Sequence, residues 1–288
     1  MSDQAERLRH RLRQMNSKKK ARTIAISSGK GGVGKSNFTI NFALKLMEHK
    51  KRVLIIDMDI GMGNIDILLG VTPRHSFVDL FKNGSSIQEI IESGPNDLSY
   101  IAGGSGLTDV FQLDEAMFLH FQSQFESLIV SYDYILFDMG AGATNDSLHF
   151  ISSADESIVV TTPEPTSITD AYAMIKHLVR VEATLPISIL VNRSLKERND
   201  SSFTRLHAVV DRFLEKEVTS LGVMPDDRNV LKAVNRQQPF VLSHPSTKAS
   251  MAMSAIVQNY LKVERKEQIE EKPSSFLSRL KRFVVERS

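Results

Sequence analysis

The chain contains no cysteine and no tryptophan, and only 7% of its residues are aromatic. Without cysteine there is no disulfide framework, no thiolate zinc site and no cysteine-held iron–sulfur cluster, and the composition suits a reducing compartment. No apolar run approaches the roughly 20 residues that a membrane-spanning helix needs, and the N-terminal stretch lacks the apolar segment of a signal peptide. A cytoplasmic protein is therefore expected. None of the eight histidines stands at metal-ligand spacing from another, and no Ser/His/Asp set can be assembled. Charge of one sign does not dominate either: 36 Lys and Arg face 34 Asp and Glu. The balance is uneven, because residues 7–22 hold eight basic side chains and no acid.

What is present suits one α/β domain with a large core and short appendages: 288 residues, 41% of them hydrophobic. The organising stretch is Thr23 to Ser36, TIAISSGKGGVGKS. A buried strand, Ile24 to Ser27, runs into a glycine-rich turn and then a helix. Gly29, Gly34, Lys35 and Ser36 satisfy G-x-x-x-x-G-K-[ST], with Lys30, Gly31, Gly32 and Val33 between. Glycines at this spacing let consecutive N–H groups curl around an anion, and the helix adds its positive end. Lys35 is placed to reach the β- and γ-phosphates, and the Ser36 hydroxyl to ligate Mg²⁺.

Two apolar runs end in acid. Arg52 to Asp59, RVLIIDMD, has the continuous hydrophobicity of a strand covered on both faces, and carboxylates at the C-terminal end of such a strand face the ligand crevice. Asp57 and Asp59 point in alternate directions, so one of them is free to face phosphates. Tyr134 to Asp138, YILFD, precedes Met139-Gly140-Ala141-Gly142 and reads as the Walker B strand, Asp138 holding the metal's water shell. Between them lie short helical patches at Phe77 to Phe81 and Ile87 to Ile91, a strand near Leu98 to Ala102, and a helix from Asp114 to Val130. Gly103-Gly104-Ser105-Gly106 has no following lysine and reads as a surface turn. Strands at Ser157 to Thr162 and Ile187 to Val191 follow; the second ends in Asn192, either an adenine-reading amide or a turn former. Together these predict a single doubly wound, mostly parallel sheet with helices on both faces.

Both ends carry amphipathic stretches. Ala5, Leu8, Leu12 and Met15 share one helical side among arginines, with a hinge at Ser17 to Lys20; a solvated basic tail is the alternative. Pro239 to Tyr260 reads as a closing helix, and Lys262 to Lys272 as a charged linker. Beyond it, Phe276, Leu277, Leu280, Phe283 and Val284 form one face, with Arg279, Lys281, Arg282 and Arg287 opposite. That face suits a membrane surface or, alternatively, docking on the chain's own domain.

Lys30 directly follows the first glycine, and the segment Lys30-Gly31-Gly32-Val33-Gly34-Lys35-Ser36 resembles the deviant phosphate loop of the MinD/ParA group of ATPases. The resemblance runs from about Thr23 to Tyr260. It implies ATP and Mg²⁺ as ligands, with Ser36, Asp59 and Asp138 around the metal, and a homodimer formed with ATP in which Lys30 reaches the partner's phosphates. Asp59 then positions the attacking water, although a loop-capping role is its structural alternative. By the same resemblance, Ile60 to Gly70 and Gly140 to Asn145 are the switch segments, Asn192 reads adenine, and Pro225, Asp226 and Asp227 flank the base or ribose. The C-terminal helix is similar to the membrane-targeting helix of MinD. Asp3, Gln4, Ala5, Leu8 and Arg9 look like the D-Q-A-x-x-L-R activator helix of the FlhG (YlxH) branch, whose partners are the GTPase FlhF and flagellar C-ring proteins. The implied function is an ATP-dependent, membrane-associating switch regulating flagellar number and placement, peripheral at the inner face of the cell membrane. Division-site regulation of the MinD type and DNA partitioning of the ParA type are the alternatives, and nucleic acid is not expected as a partner. The implied organisation is an activator helix and hinge over 1–20, an ATPase domain over 21–261, a linker over 262–273 and a membrane-targeting helix over 274–288.

Overall fold

The structure, a computed structural model, describes residues 20–61, 63–82, 85–104, 115–195, 201–267 and 275–285. The expected activator residues Asp3, Gln4, Ala5, Leu8 and Arg9 lie outside the described residues. The first half is built from β1 (Arg22–Ser27), α1 (Lys35–Glu48), β2 (Val53–Met58), α2 (Ile65–Leu69), α3 (Asp79–Lys82), β3 (Glu92–Ser93), β4 (Ser99–Ile101), α4 (Glu115–Ser131) and β5 (Tyr134–Met139). The second half adds α5 (Asn145–Ser153), β6 (Glu156–Thr161), α6 (Pro165–Val181), β7 (Ile187–Ser194), α7 (Ser202–Leu214), β8 (Thr219–Pro225), α8 (Arg228–Asn235), α9 (Phe240–Ser243), α10 (Lys248–Glu267) and α11 (Phe276–Val285).

The strands form one eight-stranded sheet in the order β3-β4-β2-β5-β1-β6-β7-β8, parallel except where the short β3 pairs antiparallel with β4. β1 lies between β5 and β6; the chain winds to one side from β1 to β2 and to the other from β5 through β6 to β8, so the winding reverses at β1. That is where an open parallel sheet leaves a crevice. β2, β5 and β6 are buried along their whole length, as continuous apolar runs require.

Two cores cover the two faces. One gathers Phe121, Phe125, Phe137, Phe150, Met174 and Leu178; the other gathers Phe38, Phe42, Leu46, Phe240, Met253 and Val257. The predicted doubly wound sheet is present. Three local expectations change. Ile87 to Ile91 forms turns instead of a helix, its Ile87 and Ile90 buried. The closing helix is split into α9 and α10. The predicted linker is shorter, because α10 continues to Glu267.

The reason for the longer helix is a polar network under the sheet. Tyr134 donates its hydroxyl to Glu264, Tyr260 donates to Glu156 at 2.7 Å, and Arg22 pairs with Glu156 while its guanidinium lies over the Tyr260 ring. Glu156 and Glu264 are each 4% exposed, so both need these donors. Arg22→Ala is expected to destabilise the fold by about 3–5 kcal/mol, since it leaves Glu156 as a buried charge without its counter-ion. Urea unfolding measures this; a midpoint close to that of the unmodified chain would show that the network carries no such role.

The apolar face of α11 is the largest departure from expectation. Phe276, Leu277, Leu280 and Phe283 are buried, against α4 and α5. Phe276 lies among Phe125, Phe137 and Phe150 at centroid distances of 5.1–5.4 Å. Arg279 donates to the Ser153 carbonyl and Asp155, both at 2.8 Å, and Arg282 pairs with Glu182 at 2.9 Å. The docked alternative is thus the arrangement seen, and the four residues proposed to face a lipid surface face the core. Val284 lies in the last turn, its side chain outside those described.

Candidate functional site

The glycine-rich turn after β1 closes as its sequence demands. Gly32 and Gly34 adopt positive φ of 75° and 95°, and Gly34 begins α1 in the left-handed conformation. Gly29 is required for a different reason: a Cβ there would stand 2.0 Å from the Asp170 carbonyl oxygen. The loop is therefore seated directly on α6. Ser28 Oγ donates to the Lys30 carbonyl at 2.8 Å. Lys35 is 7% exposed at the first position of α1, while Lys30 sits at the open lip and its Nζ approaches Glu164 at 3.4 Å.

Asp138 stands one residue before the end of β5, within reach of this loop's helix. It accepts from the Ser36 hydroxyl and from Thr39 Oγ1 at 3.1 Å. Burial raises its pKa above the ordinary carboxylate range, opposed by Ser36, Lys35 and Thr39. Thr39, which the sequence reading missed, stands one helical turn beyond Lys35, and a hydroxyl among the apolar positions of α1 was its signal.

Asp57 faces Asp138 in register across the β2/β5 pair. Its Oδ1 accepts from the Asp59 N–H at 3.0 Å, and its Oδ2 from the N–H groups of Asn64 and Ile65 at 3.1 and 3.3 Å. Burial first and Asp138 second raise its pKa. Asp57 thus staples the segment after β2, leaving Asp59 to face the crevice. Asp59 is raised by partial burial and opposed by Lys35. Its Oδ1 lies 3.3 Å from where a Cβ on Gly140 would stand, so the two expected switch segments meet there. The Gly142 N–H in turn reaches the Ser28 carbonyl at 3.4 Å. Gly103 and Gly104, expected on the surface, are instead packed inward. A Cβ on Gly103 would come within 3.2 Å of the Asp57 carbonyl oxygen, and the Gly104 carbonyl accepts from the Gly61 N–H at 2.9 Å.

Ser36, Asp59 and Asp138 offer hard oxygen ligands only. Among the described residues no cluster of three or more His, Cys, Asp or Glu is built to hold a metal. A hydroxyl with one or two carboxylates suits Mg²⁺, which keeps most of its waters and shares the rest of its shell with substrate phosphates.

Asn192 does not stand free at the strand end. Its Nδ2 donates to the Val33 carbonyl at 2.8 Å, so its amide braces the loop from β7 through one of its N–H groups. Pro225 and Asp226 lie at the neighbouring end of β8, where the Asp226 N–H donates to the Ser194 carbonyl at 2.8 Å. Asp227, expected beside them, is used structurally: it caps α8 through the Asn229 N–H at 2.9 Å and reaches the Ala249 N–H at 3.2 Å. The α11 face lies away from this crevice, on α4 and α5.

The AAA domain model matches residues 21–193. The chain is 34% identical to the antiactivator FleN of Pseudomonas aeruginosa over 86% of its length and 89% of the relative's. It is 37% identical to the flagellum site-determining protein YlxH of Helicobacter pylori over 61% of this chain and 62% of that one. Among solved structures, the septum site-determining protein MinD of Pyrococcus horikoshii, complexed with Mg-ADP, superposes with a TM-score of 0.70 at 26% identity. That match covers 85% of this chain and 97% of the other.

Asn192→Ala separates the two uses of that amide. Loss of a loop brace is expected to weaken ATP and GTP binding together, by about 0.5–1.5 kcal/mol. Equilibrium titration with fluorescent analogues of both nucleotides measures it; a loss confined to ATP would return Asn192 to base reading.

Proposed function

The chain belongs to the MinD/ParA family of ATPases, and from that premise we propose that it is an ATP-driven dimerisation switch regulating flagellar number and placement. The observation that carries the reading is the pairing of two lysines in one loop: Lys35 buried beneath it and Lys30 exposed at its lip. A buried lysine serves the nucleotide of its own chain. An exposed one, held by an exchangeable surface contact with Glu164, is available to a second chain's phosphates.

In this reading Lys35 and the loop N–H groups would bind the ATP phosphates, and Ser36, Asp59 and Asp138 would hold Mg²⁺ or its waters, the ion supplying charge neutralisation when bound. Asp59 positions the attacking water, itself positioned by Asp57. Gly140 and Gly142 let the second switch approach the phosphates. Since α5 begins at Asn145, immediately after that switch, and carries α11, a shift there reaches the C-terminal helix through one rigid element. Membrane association then follows from undocking: Phe276, Leu277, Leu280 and Phe283 leave the core for an anionic bilayer, with Val284 the fifth apolar position of the same segment, helped by about 1 kcal/mol per nearby Lys or Arg. Dimerisation unites two weak anchors and raises apparent affinity by about 10²–10⁴.

Asp59→Ala is expected to bind ATP and accumulate as dimer, and to sediment with anionic liposomes more than the unmodified chain. Lys30→Ala is expected to lose dimer and hydrolysis together. Deletion of 275–288 keeps the dimer and loses sedimentation. Light scattering and vesicle sedimentation with ATP read these out; an Asp59→Ala chain that stays monomeric with ATP bound defeats the assignment.

The resemblance of Asp3, Gln4, Ala5, Leu8 and Arg9 to an activator helix assigns them to FlhF, and C-ring proteins are the expected further partners. A short segment of this kind is marginally helical alone and orders on its target. A peptide of residues 1–20 is expected to raise GTP turnover by purified FlhF, and Leu8→Asp to abolish the gain. Binding without any change in turnover would favour division-site control.

A further inference from the structure

The groove that receives α11 has a defined shape and charge. Phe125, Phe137 and Phe150 surround Phe276, the ring of His149 lies 4.4 Å from that of Phe283, and Asp155 and Glu182 receive Arg279 and Arg282. An occupant needs apolar side chains at steps of four and three with an arginine directly before the second. That pattern occurs a second time in the chain. Leu8, Leu12 and Met15 repeat the spacing of Phe276, Leu280 and Phe283; Arg11 falls where Arg279 does, and Arg13 where Lys281 does.

The chain also enters the domain beside this groove. The Ala21 N–H donates to the Ile129 carbonyl at 2.8 Å, and Ala21 belongs to the same apolar cluster as Phe276, Leu277 and Leu280. One residue binds both ends of the chain: Asp155 accepts from the Thr23 N–H and hydroxyl, each at 2.9 Å, through Oδ2, and from Arg279 through Oδ1. Phe283 lies about 6 Å along the helix from Arg279. The six peptide steps from Met15 to Ala21 reach about 20 Å when extended. The short tether therefore starts on the same side of the domain as the groove, where Thr23 and Arg279 share Asp155.

We propose that residues 8–15 are the alternate occupant of this groove, taking it when the C-terminal helix leaves, so that the two segments exclude one another. The mismatches set the order of preference. Arg9 stands where the buried Leu277 does, Gln14 replaces Arg282, and leucine and methionine replace two phenylalanines. The C-terminal helix is therefore the stronger occupant and holds the groove at rest. Undocking it closes the N-terminal segment onto the domain; docking it leaves that segment accessible. The inference rests on the groove and the repeated pattern, and needs neither nucleotide nor the ATPase reading.

Because the chain has no cysteine, introduced pairs joined by a short bismaleimide report each occupancy without background. In the full-length chain, Glu182→Cys with Arg282→Cys reads the docked C-terminal helix. Adding Leu8→Phe and Met15→Phe, which restores the aromatic anchors to the N-terminal segment, is expected to lower that cross-link severalfold. An unchanged yield overturns the proposal. In a chain ending at residue 274, Gln14→Cys with Glu182→Cys is expected to cross-link, and Leu12→Asp to abolish the product. Absence of the product in a chain that still melts cooperatively overturns it too. If the shortened chain does not fold, the full-length comparison decides alone.

Discussion

Two carboxylates side by side in a dry sheet set the terms for the rest of the site. Asp57 and Asp138 are register partners on adjacent parallel strands, each 1% exposed. Left alone, each would disfavour the other's ionised form. The fold turns them to different donors: Asp138 to hydroxyls on α1, Asp57 to the backbone of the segment after β2. Helix α1, the segment after β2 and strand β5 are thereby fixed relative to one another through one pair of buried acids. A displacement of any of them changes what the other acid can accept.

Close backbone packing surrounds the pair. Gly29 admits no side chain against the Asp170 backbone, and a Cβ on Gly103 would press on the Asp57 carbonyl at 3.2 Å. This explains why Gly103-Gly104, with no lysine after it, is not a spare turn. It closes the floor of the crevice on the β4 side, while α6 closes it on the other.

The legible part of the site was the part encoded locally. Gly29 to Ser36, Asp59 and Asp138 announce themselves by spacing along a few residues and by acids ending apolar strands. The doubly wound sheet followed from the same runs. What sequence could not show were partners across long separations. Asn192 meets Val33 from 159 residues away, and Glu264 keeps α10 helical by meeting Tyr134 from 130 away. The amphipathic face of α11 was plain in the pattern of Phe276, Leu280 and Phe283. Periodicity states that such a face will be buried, and is silent on whether lipid or protein buries it.

The burial of α11 sets what the proposed membrane attachment must overcome. An exposed anchor needs only a bilayer. A docked anchor needs one that offers more than Phe125, Phe137 and Phe150 already do, together with the ion pairs to Asp155 and Glu182. Lipid alone gives little advantage over an aromatic pocket, since both bury the same apolar area. In that proposal the balance is tilted from within, by loosening the groove, of which α5 is one wall. That helix begins at Asn145 beside Gly140 and Gly142, and ends at Ser153, whose carbonyl holds Arg279. One short helix thus adjoins the candidate site at its start and α11 at its end. The coupling needs no long pathway, because about 13 Å of rigid helix at 1.5 Å per residue joins the two.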